Sequence, residues 1–119
     1  MMITFDGRFP SLNEQIKADR NSSFIGNKLK KKYTSICAWS AKAKCNDSFT
    51  KPVHVDFYWY EPNKKRDKDN IAFAKKYILD GLVSAGIIKN DGWAGVHSFS
   101  DNFAVDKDNP RVEIEIREI

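Results

Sequence analysis

The chain has 119 residues, 41% of them hydrophobic and 30% charged, and a formal charge of +4. That length supports one domain with a modest core and leaves little room for a second, while the positive balance favours polyanionic partners. Cys37 and Cys45, with only His54 and His97 to help, lack the spacing of a zinc site, no apolar run approaches membrane length, and Met1 to Asp6 has no signal-peptide anatomy, so reduced thiols and a cytoplasmic protein with no membrane partner are expected.

Met2 to Phe9 reads as a first strand, which Pro10-Ser11-Leu12-Asn13 interrupts. The polar, basic stretch from there to about Lys32 is expected to be a mobile loop. Lys28, Lys30, Lys31 and Lys32 cluster at its end and are candidate DNA contacts, although a basic run is equally readable as a solvated face. From about Leu29 to Lys44 the Ala-rich and Lys-rich pattern suits a helix, with Tyr33, Ile36, Trp39 and Ala43 able to share one face. Val53 to Tyr60 is rich in β-branched and aromatic residues and stops at Glu61-Pro62-Asn63, which marks a strand. His54 within it reads as a packing or surface residue rather than a ligand.

Arg66-Asp67-Lys68-Asp69-Asn70 then opens a helical run ending near Ala85, with Gly86 as its C-terminal cap. At about 100° per residue, Ile71, Ala74, Ile78, Leu82 and Ala85 gather on the core side, while Lys76 and Asp80 fall within roughly 20° of Asp69 and Lys75 points about 120° away. Lys76 can therefore join an acidic site more easily than Lys75, or simply pair with Asp80 at i,i+4 spacing. Phe73, Tyr77, Leu79 and Val83 flank the polar stripe and exceed what one packed face requires, which suggests cover by a loop or, preferably, by a partner subunit. Trp93 to Phe103 and Arg111 to Ile119 are expected strands joined as a hairpin. The expected architecture is a single α+β domain with a small mixed β-sheet and two helices in the order β-α-β-α-β-β.

Asp67 and Asp69 lie one residue apart and Asp91 follows the helix, so the three carboxylates could share a hard divalent cation such as Mg²⁺. Lys64, Lys65 and Arg66 directly precede the pair and would attract phosphates. The plainer reading makes Asp67 and Asp69 helix-capping residues. Asp106-Lys107-Asp108-Asn109 repeats the tetrapeptide, but Pro110 and the alternating run to Arg117 make that copy a turn before a strand. Neither copy continues with the Gly and distal Glu of an EF-hand.

The pattern Arg66-Asp67-Lys68-Asp69-Asn70, Asp80-Gly81-Leu82, Ala85-Gly86 and Asn90-Asp91 resembles the RusA family of Holliday junction resolvases, common in phages and prophages. The central third carries the resemblance; strand order and the Pro10-Ser11-Leu12-Asn13 loop extend it. It implies a homodimeric endodeoxyribonuclease of DNA recombination and repair, dependent on Mg²⁺, with Mn²⁺ as a substitute, that makes paired nicks in four-way DNA in a bacterial or phage-infected cell. By position, Asp67, Asp69 and Asp91 match the family's metal-binding carboxylates, and Lys76, or less well Lys75, matches its helix lysine. The helix is longer here than in the best-known member, and Asn90 stands where relatives often carry a second acid. Two rival readings are a noncatalytic DNA-binding protein and a metal nuclease of flaps or single strands, in which Trp39, Trp59 or Trp93 could stack bases.

Overall fold

A computed structural model of the chain describes residues 1–119. Its elements are β1 (Met2–Asp6), α1 (Leu12–Asn21), α2 (Ser23–Lys44), β2 (Val53–Glu61), α3 (Lys68–Ala72), α4 (Lys75–Ser84), β3 (Val96–Val105) and β4 (Arg111–Glu118). The strands form one sheet in the order β1-β4-β2-β3, in which only β2 and β3 are parallel. The α+β class and the mixed sheet thus stand as the sequence indicates.

Alternation along the strands decides which face is inside. Val53, Val55, Phe57 and Trp59 of β2 and Val112, Ile114 and Ile116 of β4 are buried, in one core cluster with Cys37 and Ala41 of α2 and Tyr77, Ile78 and Leu82 of α4. The alternate positions carry a polar network: His54 meets Ser98 Oγ at 2.6 Å and Asp56 Oδ1 at 2.8 Å, and Arg117 donates to Asp56 Oδ2 at 2.9 Å. His54 is therefore a partly buried member of this polar network.

Three expectations about the elements themselves are corrected. The segment read as a mobile loop is mostly helical: α1 starts in a reciprocal capping box between Ser11 and Glu14, and Ser22 caps α2 by accepting from Ile25 N–H at 3.0 Å. Buried Gln15 fastens α1, donating to Gly26 O at 2.9 Å and accepting from Tyr77 Oη at 2.6 Å. The hairpin is absent as well. β4 inserts between β1 and β2, while β3 lies on the far side of β2, because the α3–α4 segment is long enough to carry the chain back for a parallel pairing. The expected single helix is also bent at Phe73 and Ala74, where Ala74 and Lys76 N–H bond three residues back, to Ile71 O at 3.2 Å and Phe73 O at 3.1 Å.

The surplus apolar flank of α4 is covered within the chain. Tyr77 and Leu79 are buried and Phe73 and Val83 partly so. α2 packs closely on α4 at Gly81, where a Cβ would fall 2.5 Å from Cys37 Cβ. α1 and α2 cover Tyr77 through Gln15 and Tyr33, so Tyr77 and Leu79 need no partner, while Phe73 and Val83 keep part of their surface open. Burial also pushes the Cys37 thiol up to about 12, so it is an inert core group, and neither cysteine is in a disulfide.

Candidate active site

Where β2 ends, Glu61 and the turn that follows lead directly into α3. Asp67 is the N-cap residue of α3, in extended conformation, yet its side chain makes no cap hydrogen bond. Asp69, in the first turn, accepts only from Asn70 N–H at 3.0 Å. Both are exposed, and neither is paired with a cation. They line an open cleft of about 790 Å³ with Lys64, Arg66 and Lys68 on its rim and Ile71, Phe103 and Val105 on its apolar side.

The second copy of the tetrapeptide behaves differently. Asp106 accepts from Asn109 N–H at 3.2 Å and from Arg111 NH1 at 2.7 Å, and the Arg111 hydrogen bond holds its carboxyl below the usual range. That copy is a satisfied turn, as its Pro110 context indicates.

Lys76 and Asp91 form a separate group. Lys76 Nζ lies 2.7 Å from Asp91 Oδ2 and 3.0 Å from Asp80 Oδ1. Its hydrogen bonds to Asp91 and then Asp80 raise its pKa, and the same lysine is the first cause of the lowered pKa of Asp91. Lys30 and Lys76 border one hollow, and Lys30, Lys31 and Asp80 line another, which brings part of the α2 lysine cluster beside this group. Asp67 and Asp69 border neither hollow. No group of three or more His, Cys, Asp or Glu side chains is arranged to hold a metal ion within the single chain.

The bend between α3 and α4 interrupts the angular relation drawn from Asp69, but the two lysines still diverge. Lys75 turns towards the sheet edge, 2.6 Å from Asp101 Oδ2 and 3.8 Å from the centre of the Phe99 ring, with only 14% of its side chain exposed. Asp101 Oδ1 in turn accepts from buried Trp59 Nε1 at 2.9 Å. The sequence reading missed Asp101. Its signal was a charge on the same alternate positions as Phe99, Phe103 and Val105, which calls for a partner. Lys68 was missed too, as a member of the basic rim.

Of the basic residues expected to meet DNA, Lys28, Lys30, Lys31, Lys32, Lys64 and Lys65 are exposed. Arg66 is engaged inside the protein, donating to Phe9 O at 2.9 Å and to the Glu14 carboxylate. It ties the turn before Asp67 to the start of α1, as Asn70 Oδ1 does by accepting from Asn13 N–H at 3.3 Å.

No curated protein matches the chain. The family model of endodeoxyribonuclease RusA matches residues 7–117, from the end of β1 to the last residues of β4. It takes in the whole α3–α4 unit and every acidic residue of the two groups, and on that match the chain belongs to the RusA family of Holliday junction endodeoxyribonucleases.

Proposed function

We propose that the protein resolves four-way DNA junctions by paired, divalent-metal-dependent nicks as a homodimer, with Asp67 and Asp69 as the primary metal ligands. The observation that carries this reading is the idle carboxylate of Asp67: it occupies a cap position without capping, beside a second unpaired carboxylate, on a basic rim. Two exposed aspartates supply hard oxygen donors of the kind Mg²⁺ takes, and Mg²⁺ commonly fills its other positions with water and substrate phosphate. The residues present therefore fit Mg²⁺ or Mn²⁺. Such an ion, when bound, supplies Lewis acidity at the scissile phosphate and lowers the pKa of a bound water.

The other residues act through charge and position. Lys76 has a raised pKa and so keeps its proton at neutral pH, which rules it out as the group that takes one from an attacking water. Lys76 instead offers fixed positive charge to phosphate oxygens, and Asp91 holds its ammonium in place. Lys28, Lys30, Lys31, Lys32, Lys64, Lys65 and Lys68 attract the DNA arms through phosphates, which positions the substrate without reading sequence. The proposed DNA substrate fits the cytoplasm of a bacterial or phage-infected cell. Trp39 and Trp93, both strongly exposed, favour flap or single-stranded DNA as a second substrate class, whereas Trp59 is buried and drops out of that reading.

The test compares Asp67→Asn, Asp69→Asn and Asp91→Asn with the parent protein on four-way, flap and linear DNA, with Mg²⁺ or Mn²⁺. Each variant should lose cleavage and keep junction binding, since removing negative charge does not weaken phosphate attraction. Titration of Mn²⁺ by calorimetry should show lost ion binding for Asp67→Asn and Asp69→Asn. Near-normal turnover in two of the three would sink the assignment.

A further inference from the structure

Trp93 is the most exposed large hydrophobic side chain in the molecule, 97% accessible against 80% for Trp39. An uncovered indole of this kind gives up the favourable free energy that burial of its apolar surface would provide. The loop beneath it is nonetheless tightly braced. Gly92 N–H donates to Asn90 Oδ1 at 2.9 Å, and Gly95 and Val96 N–H both reach Gly92 O, at 3.1 and 2.9 Å. A Cβ on Gly95 would lie 1.8 Å from Asn90 O, so the two ends of the loop meet through a position only glycine can fill. Gly95 O also accepts from Val53 N–H at 3.0 Å, which ties the loop to the start of β2.

An indole displayed on a braced loop binds a flat apolar partner with little loss of backbone freedom, leaving only its own side-chain rotamer to be fixed. Asp91, two residues away, is paired with Lys76, and exposed Lys89 stands on the other side of Asn90. The segment that displays the indole also carries exposed Lys89 and is tied through Asp91 to Lys76, so aromatic and cationic groups belong to one loop, a combination that suits a nucleotide: base on the ring, phosphate at a lysine. Bases inside a duplex are closed to such stacking, whereas those at a branch point can be unstacked. We propose that Trp93 is a base-stacking contact that engages an unstacked nucleotide at the branch of the DNA substrate. The proposal rests on the reading that Asp91 and Lys76 belong to the cutting site.

The test uses the full chain with Trp39→Phe as background, which leaves Trp93 as the exposed indole beside buried Trp59. The protein is titrated without divalent ions with a four-way junction and with linear duplex, and tryptophan emission and affinity are recorded. The junction should quench the emission and the duplex should not. Trp93→Ala should weaken junction binding roughly tenfold, the order expected for loss of one stacked base, with duplex binding unchanged; Trp93→Phe should restore most of the affinity. Unchanged emission at saturating junction, equal losses on junction and duplex, or no junction binding by the parent would overturn the proposal. So would a change in sedimentation on Trp93→Ala, which would give this surface to a second copy of the chain. Adding Mg²⁺ to the same samples reads cleavage separately: quenching without cutting removes the catalytic reading and keeps the contact, and cutting without quenching does the reverse.

Discussion

Lys75 and Lys76 are adjacent in sequence yet have different surroundings, and their alanine variants should separate function from stability. Lys76 is half-exposed between two carboxylates. Lys76→Ala should cut cleavage severely while leaving the urea midpoint almost unchanged. Lys75→Ala removes the cation from Asp101 Oδ2 and leaves only Trp59 Nε1 donating to Oδ1, so it should cost about 1 kcal/mol of stability, the order of one lost hydrogen bond to a charged, partly buried group, with a smaller effect on turnover. Equal effects of both on cleavage would reverse the assignment. Asp56 gives a pH signature at the same scale. Its pKa is lowered first by the Ser100 hydroxyl, then by His54, with Arg117 contributing charge. The unfolded chain therefore takes up this proton before the folded one, so the stabilisation is present above about pH 4, the ordinary carboxyl range, and is lost as pH falls through the lowered folded value. Urea midpoints between pH 7 and pH 3 should fall less steeply for Asp56→Asn than for the parent.

Among the elements, β2 and the C-terminal end of the long helical segment were legible because their patterns were long and their stop signals strong: Glu61-Pro62-Asn63 in one case, Gly86 in the other. α1 was not, because its mean character is polar and only Gln15 among its residues is buried. Its readable signal was the Ser11-x-x-Glu14 box, which outweighs the breaker value of Pro10 because proline is tolerated just before a helix. Ser11→Ala should therefore destabilise the fold by about 1 kcal/mol, measured by thermal or urea unfolding. The bend at Phe73 and Ala74 had no signal at all, since both residues are compatible with a continuous helix. The idle carboxylate of Asp67 was equally invisible, because whether a cap residue caps depends on its side-chain rotamer and not on its identity.

For the whole molecule, class, sheet type and the acidic pair could be read from the chain, but strand order could not. A terminal pair of strands joined by Asp106 to Pro110 carries every local mark of a hairpin; parallel pairing of β3 with β2 is decided by the crossover, a long-range contact that no local pattern encodes. The distribution of the acids is also a whole-molecule property. Asp67 and Asp69 border one cleft and Asp91 is held by Lys76, so the three carboxylates are not gathered at one point in this structure. Sedimentation at micromolar concentration should give a dimer without DNA. A protein that remains monomeric on a four-way junction, yet nicks linear DNA equally well, would defeat the paired-nick reading while sparing Asp67 and Asp69. The isolated position of α3 has a further consequence. A five-residue helix with one buried side chain lies far below the length at which a helix sustains itself, and Arg66, the Asn70–Asn13 contact and Lys68 over the Phe103 ring brace its start. Its amides should exchange faster than those of α4, whose Tyr77, Ile78 and Leu82 sit in the core, a difference that hydrogen exchange measures directly. The carboxylates that define the cleft thus ride on a segment that can reorganise at small free-energy cost, and ordering that segment becomes part of the cost of binding.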